Sequence, residues 1–182
     1  MIPPNARLRP ATPADVEAMQ LLIGEAFRSY REFAPPGWRA PDTEEAARRM
    51  REQLGGPSVR GSVAVVGGDH AGHVLWLPAR ESAQFPDPDP RLAHLWQLFV
   101  RDSDQGSGIG TALLDDAVAG AADSGFTRMR LFTPEGQTRA RSFYEREGWT
   151  LRQPIGAGPD LKLPLLEYER PLHLGDGQNG GP

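Results

Sequence analysis

The chain contains no cysteine at all. That excludes disulfides, thiolate metal centres and a cysteine nucleophile, so any acyl transfer it performs cannot pass through an acyl-cysteine. Lysine is nearly absent too: Lys162 is the single one among 20 Lys+Arg. The arginine bias is compositional, so no individual arginine stands out as functional. There is no basic stripe and the formal net charge is −4, which argues against nucleic acid as a partner. No apolar run approaches the ~20 residues that span a bilayer, which argues against a membrane. The opening Met1-Ile2-Pro3-Pro4-Asn5-Ala6-Arg7 has no charged head followed by an apolar stretch. No secretion signal is read there, and the cytoplasm is the expected compartment.

What is present suits one globular domain. The 182 residues, 38% hydrophobic and 24% charged, are enough for a single core and too few for two. The domain is expected over residues 1–172, with a Gly-rich tail over 173–182 expected to be disordered.

Turn and cap residues divide the chain. Ala6 to Ala11 reads as a strand ended by Thr12-Pro13. Thr12 and Pro13 suit a helix start, and Val16, Met19, Leu22, Ile23, Ala26 and Phe27 recur at helical spacing up to about Tyr30. A loop at 34–38 precedes a polar helix over Thr43 to Leu54. Gly61–Val66 and Gly72–Leu77, joined through Gly67-Gly68-Asp69, read as a hairpin. Leu92–Val100 is the longest strand expected. A helix runs from the glycine turn at 106–110 to about Asp123. Arg128–Thr133 is a strand, Gln137–Glu147 a helix, and Trp149–Arg152 and Leu165–Arg170 are the closing strands. This β-α-α-β-β-β-α-β-α-β-β order implies an α/β fold with mixed strand pairing.

The segment Gln105-Gly106-Ser107-Gly108-Ile109-Gly110-Thr111 lies between a strand and a helix, where backbone amides accept phosphate. A P-loop fails because no lysine precedes Thr111. A dinucleotide fingerprint fails because its third small residue would be Thr111 or Leu113, and Arg128–Phe132 carries no acid.

Gln105-x-x-Gly108-x-Gly110 resembles the pyrophosphate-binding motif of the GNAT acetyltransferases, Arg/Gln-x-x-Gly-x-Gly/Ala. Upstream, Leu98-Phe99-Val100 looks like the end of that family's fourth strand. Downstream, Ala140-x-x-Phe143-Tyr144-Glu145-x-x-Gly148-Trp149 resembles its Ala-x-x-Leu/Phe-Tyr-Glu-x-x-Gly-Phe segment. The resemblance spans roughly residues 7–171. It implies the GNAT fold: a mixed central sheet of about seven strands flanked by four helices. It also implies an N-acetyltransferase that uses acetyl-CoA and no metal. The acceptor would be an amine of a small molecule or peptide, and the reading leaves room for a homodimer.

The resemblance also implies roles for particular residues. The pyrophosphate would lie on the amides of Gly106, Gly108, Ile109 and Gly110, beside Gln105 and Thr111. The fourth and fifth strands would splay, leaving main chain near Val100 for the pantetheine and the Leu98 amide for the thioester oxygen. Gln137 stands where the family commonly has a pantetheine-contacting asparagine. Tyr144 matches the general acid; the plainer reading is a core tyrosine. His94 stands eleven residues before Gln105, where many relatives place a glutamate base. An imidazole with pKa ~6.5 would titrate near neutrality. The alternatives are a buried strand histidine with water, or Glu81, as the base.

Tyr30, Phe33 and Trp38 put aromatic surface on the expected acceptor side, whereas Trp76 and Trp96 read as core. His70 and His73 lack a third metal ligand and read as a solvated pair. A catalytically inactive acyl-CoA sensor of the same fold is the alternative function.

Overall fold

A computed structural model describes residues 2–173, so the tail expected to be disordered lies, apart from His173, outside the described residues. β1 (Ala6–Pro10) leads through a 3-10 turn at Pro13–Asp15 into α1 (Val16–Tyr30), and α2 (Thr43–Leu54) follows. β2 (Arg60–Val66) and β3 (Asp69–Pro78) form the hairpin, and a long loop leads to β4 (Leu92–Val100). Then come α3 (Ile109–Asp123), β5 (Arg128–Pro134), α4 (Thr138–Arg146), β6 (Thr150–Ala157) and β7 (Pro164–Pro171).

The seven strands form one sheet in the order β1-β2-β3-β4-β5-β7-β6. Every pairing is antiparallel except β4 with β5. Helices cover both faces. On one face, Val16, Met19 and Ile23 of α1 and Ala47 and Met50 of α2 pack on Val63, Leu75 and Leu77. On the other, Ile109, Leu113, Leu114, Ala117 and Ala121 of α3 pack with Tyr144 of α4 on Val74, Leu95 and Leu131. These are the apolar positions at helical spacing, buried as their period demands.

Local chemistry explains the boundaries. Asp42 caps α2, its Oδ1 accepting from the amides of Glu44 (2.8 Å) and Glu45 (3.2 Å). The Asp15 carboxylate accepts from the Thr12 amide and hydroxyl and from both terminal nitrogens of Arg9. The Arg9 hydrogen bond outweighs burial and holds the acid at about 2. β6 runs five residues past the expected Arg152, through Pro154 and Gly156, with irregular register against β7. It is an edge strand, and an edge tolerates proline because one side of its backbone needs no partner. No helix among the described residues is long and apolar enough to cross a membrane.

Candidate active site

The glycine turn starts α3 as the spacing suggests. Gly108 is the cap residue in the left-handed region (φ 89°), and Gly106 is left-handed too (φ 84°). A side chain at Gly108 would be strained there. The first bond of the new helix is Ala112 N–H to the Gly108 carbonyl, 3.0 Å. The amides of Ile109, Gly110 and Thr111 precede it and so have no partner inside the helix. Gly106, Gly108, Gly110 and Thr111 line a cleft of about 1280 Å³. Ile109, expected to offer its amide, is fully buried and does not line the cleft.

Two expected contacts are used otherwise. Gln105 also lines the cleft, but its side-chain amide donates to the Val100 carbonyl (3.2 Å) and to Asp102 Oδ1 (2.7 Å). These bonds brace the turn. The Thr111 hydroxyl donates to Glu147 Oε1 (3.2 Å), tying α3 to the end of α4.

The cleft itself comes from an irregularity in β4. Leu75 pairs with Gln97, but Trp76 pairs with Leu95, so Trp96 is an extra residue on the β4 side. Such a bulge bends its strand and re-aims the residues beyond it. The parallel pairing of β4 with β5 covers only Leu92–Leu95 against Arg128–Leu131. From there the two strands part, as the resemblance implies. Gln97, Leu98, Phe99 and Val100 form one wall of the gap, and Phe132, Thr133 and Pro134 the other. Gln137, which caps α4, lies on that second side.

Tyr144 is set by how α4 ends. Gly148 is left-handed (φ 82°), the Trp149 amide donates to the Tyr144 carbonyl (3.0 Å), and the Gly148 amide to the Glu145 carbonyl (3.1 Å). This pair of bonds closes a helix with an apolar contact across the turn, here the Tyr144 and Trp149 rings at 6.0 Å. The Tyr-Glu-x-x-Gly-Trp spacing is therefore a device that fixes the tyrosine. Glu145 is anchored in turn by the Tyr168 hydroxyl at 2.8 Å. Tyr144 lines the cleft at 8% exposure. Burial, then the nearby Tyr30 phenol, raises its pKa above the ordinary tyrosine range.

Tyr30 and Phe33 also line the cleft, their rings 5.2 Å apart. Burial pushes the Tyr30 phenol up to about 12. Trp38 does not join them on the lining. It packs behind, 6.2 Å from Tyr30 and 6.4 Å from Phe27, and its indole N–H donates to the Leu161 carbonyl at 2.7 Å. It pins the loop between α1 and α2. Trp76 is core, and Trp96, the extra residue of the bulge, packs half-buried against the core under α1 and α2 while also lining the cleft.

His94 also lines the cleft, 5% exposed, with Nδ1 lacking a hydrogen-bond partner. Burial, then the Arg130 charge, pushes its pKa down to about 3. This overturns the expectation that it titrates near neutrality. Phe132 lies 5.3 Å from it, between His94 and Phe85, with the Arg130 guanidinium 5.1 Å from the ring. Glu81 is in a 3-10 turn outside the lining, 3.6 Å from Arg80. His70 and His73 are not a solvated pair: His73 is fully buried, 3.3 Å from His70 and 3.3 Å from Gln97 Oε1. Arg139 and Arg146 of α4 line the cleft as well, and no local signal set them apart in an arginine-rich chain.

The sheet thus opens between its two parallel strands beyond Leu95 and Leu131. The profile of the acetyltransferase (GNAT) family matches residues 25–149, and the chain belongs to that family. Among curated proteins it resembles the mycothiol acetyltransferase of Beutenbergia cavernae, 29% identical over 151 residues, which are 82% of this chain. The chain spans about half of that relative's length (46%). Among solved structures, a GNAT-family protein from Desulfovibrio desulfuricans superposes with a TM-score of 0.70 at 20% identity, covering 92% of this chain and 99% of that one. A protein from Salmonella typhimurium, solved with its cofactor acetyl-CoA, superposes at 0.67 with 20% identity and 98% of each chain. These structures share the fold.

Proposed function

We propose that the chain transfers an acetyl group from acetyl-CoA to a primary amine of a small molecule or peptide, by direct attack of the amine. The observation that carries this reading is the parting of β4 and β5 beyond Leu95, with the start of α3 and Tyr144 on the same cleft. The amides of Gly110 and Thr111 suit a pyrophosphate, and Arg139 and Arg146 supply the positive charge a diphosphate favours. Main chain from Leu98 to Val100 pairs with the amides of the pantetheine arm as a strand would, with Gln137 across the gap. The Leu98 amide donates to the thioester oxygen as negative charge develops there.

An alkyl ammonium with pKa ~10.4 is only about one part in two thousand neutral at pH 7, so the amine must first lose a proton. His94 is too weak a base to take it fully. Its uncharged Nδ1 accepts the amine N–H as a hydrogen bond, and the proton passes to water. The new C–N bond forms as the C–S bond breaks. The Tyr144 phenol, kept protonated by burial, gives its proton to the thiolate as the C–S bond breaks. With no cysteine to carry the acetyl group, both substrates are bound together, and initial-rate lines intersect rather than run parallel.

The test is incubation with acetyl-CoA and a panel of primary amines, following free thiol and identifying the product by mass. CoA and N-acetyl amine released in equal amounts support the reading. Acetyl-CoA binding without release on any amine makes the protein an acyl-CoA sensor instead.

A further inference from the structure

The part of the cleft under α1 and α2 carries hydrogen-bonding capacity that the fold does not use. Gln20 of α1 and Gln53 of α2 both line it, and Gln20 Nε2 and Gln53 Oε1 are buried without a hydrogen-bond partner. Leaving a buried donor or acceptor unpaired destabilises a fold. Native folds keep few of them without a reason. Their neighbours Met19, Ile23 and Met50 are core residues, so an apolar side chain would fit either position more cheaply.

The charged groups nearby answer one another instead. Asp160 Oδ2 accepts from the Gln84 side chain and lies 3.5 Å from Arg49. Arg49 is also 3.9 Å from Glu45. Asp42 is committed to capping α2, and Arg130 is held by Asp87 at 3.4 Å and by the Phe85 carbonyl. Glu32 stands exposed at the rim. What remains inside is two neutral amides, each able to donate and to accept.

We propose that Gln20 and Gln53 form a subsite for an uncharged hydrogen-bonding group of the acceptor, an amide or a hydroxyl, carried some bonds away from the reacting amine. The inference rests on the acetyltransfer reading above and names which amines that site takes. A second ammonium on the acceptor would be desolvated there without a counter-charge, and a carboxylate without a free cation. An amide or hydroxyl matches both glutamines as donor and acceptor.

The experiment compares kcat/KM for five acceptors of equal chain length with acetyl-CoA saturating: an ω-amino amide, an ω-amino alcohol, a simple alkylamine, a diamine and an ω-amino acid. The amide and alcohol should exceed the alkylamine by about tenfold or more, one good hydrogen bond's worth of discrimination, and the diamine and amino acid should fall below it. In Gln20→Leu and in Gln53→Leu the ratio of amide to alkylamine should move towards one, whatever happens to the common rate. Both leucine variants should melt at higher temperature than the wild type in the absence of acceptor, because an unpaired buried amide is gone. Gln53→Glu should reverse the order in favour of the diamine. Turnover of the alkylamine with no preference for amide or alcohol, or a preference that survives both leucine variants, overturns the subsite alone. No CoA release with any amine overturns the acetyltransfer reading and the subsite with it.

Discussion

The Phe33 ring rests against the backbone of Gly136: a Cβ on that glycine would fall 2.6 Å from Phe33 Cγ and 2.8 Å from Phe33 Cβ. The contact joins the loop after α1 to the turn between β5 and α4, and both residues line the cleft. With Trp38 holding Leu161, the α1–α2 loop is fastened at two points along that cleft. Gly136→Ala should therefore displace Phe33. It should destabilise the fold by about 1–3 kcal/mol, the usual penalty of overpacking, and raise the acceptor KM. In a Phe33→Ala background the same change should do little, so a double-mutant cycle in urea should show a large coupling. Additive effects would mean that the contact carries no weight.

Tyr144→Phe keeps the ring that packs on Trp149 and removes only the hydroxyl. Acetyl-CoA affinity should persist while turnover falls ~10²-fold. Because burial raises the phenol's pKa, the wild-type rate should show no alkaline loss from its ionisation up to about pH 10. Equal turnover in the two proteins would reduce Tyr144 to a packing residue.

The elements that were legible share a short-range cause. The boundaries of α2 and β4 agree with the expected ones, and the Tyr144 segment could be read because its helix-ending bonds join residues five apart or fewer. The opening of the cleft was implied by family likeness, but its cause, the bulge at Trp96, was not legible. It arises where two strands settle their register against each other, and nothing local marks the extra residue. The same blindness missed that Trp96 reaches the cleft and put Trp38 on the acceptor wall. It also left His94 with a neutral-range pKa, because burial and Arg130 come from other parts of the chain. Nothing in the sequence marks Gly136, and only the packed Phe33 shows why it has no side chain.

The histidines give a pH signature with a definite sign. His73 and His94 are both pushed down to about 3 by burial, so they bind a proton more weakly folded than unfolded. Between about pH 6.5 and about pH 3 the unfolded chain carries the extra protons. Stability is full above about pH 6.5 and is lost as pH falls towards 3, and His70, also lowered by burial, adds to the loss. Asp15, held at about 2, adds to the loss below about pH 4. Urea melts at several pH values should show this, and His73→Phe should make the loss shallower. The activity profile should rise with deprotonation of the amine itself and show no separate step between about pH 6 and 8. A step there that vanishes in His94→Ala would restore that histidine as a titrating base.

Gly110 offers a way to separate folding from cofactor binding. A Cβ there meets Phe143 and Val100 at 3.6 Å, ordinary contact, and an acid in the first turn of a helix is favourable. Gly110→Asp should thus fold at least as well as the wild type while setting a negative charge against a pyrophosphate. Its acetyl-CoA affinity should drop by ~10²-fold or more, about 2.7 kcal/mol.

Calorimetric titration of the wild type and Gly110→Asp with acetyl-CoA, CoA, ATP and NAD tests the cleft as an acetyl-CoA site most directly. The wild type should bind acetyl-CoA and CoA with similar affinity and ATP and NAD far more weakly. At 100 times its Kd, acetyl-CoA should also add about 2.7 kcal/mol of stability, and the aspartate variant should lose both effects while melting normally. Equal binding of NAD and acetyl-CoA, or undiminished acetyl-CoA binding in Gly110→Asp, would contradict the account.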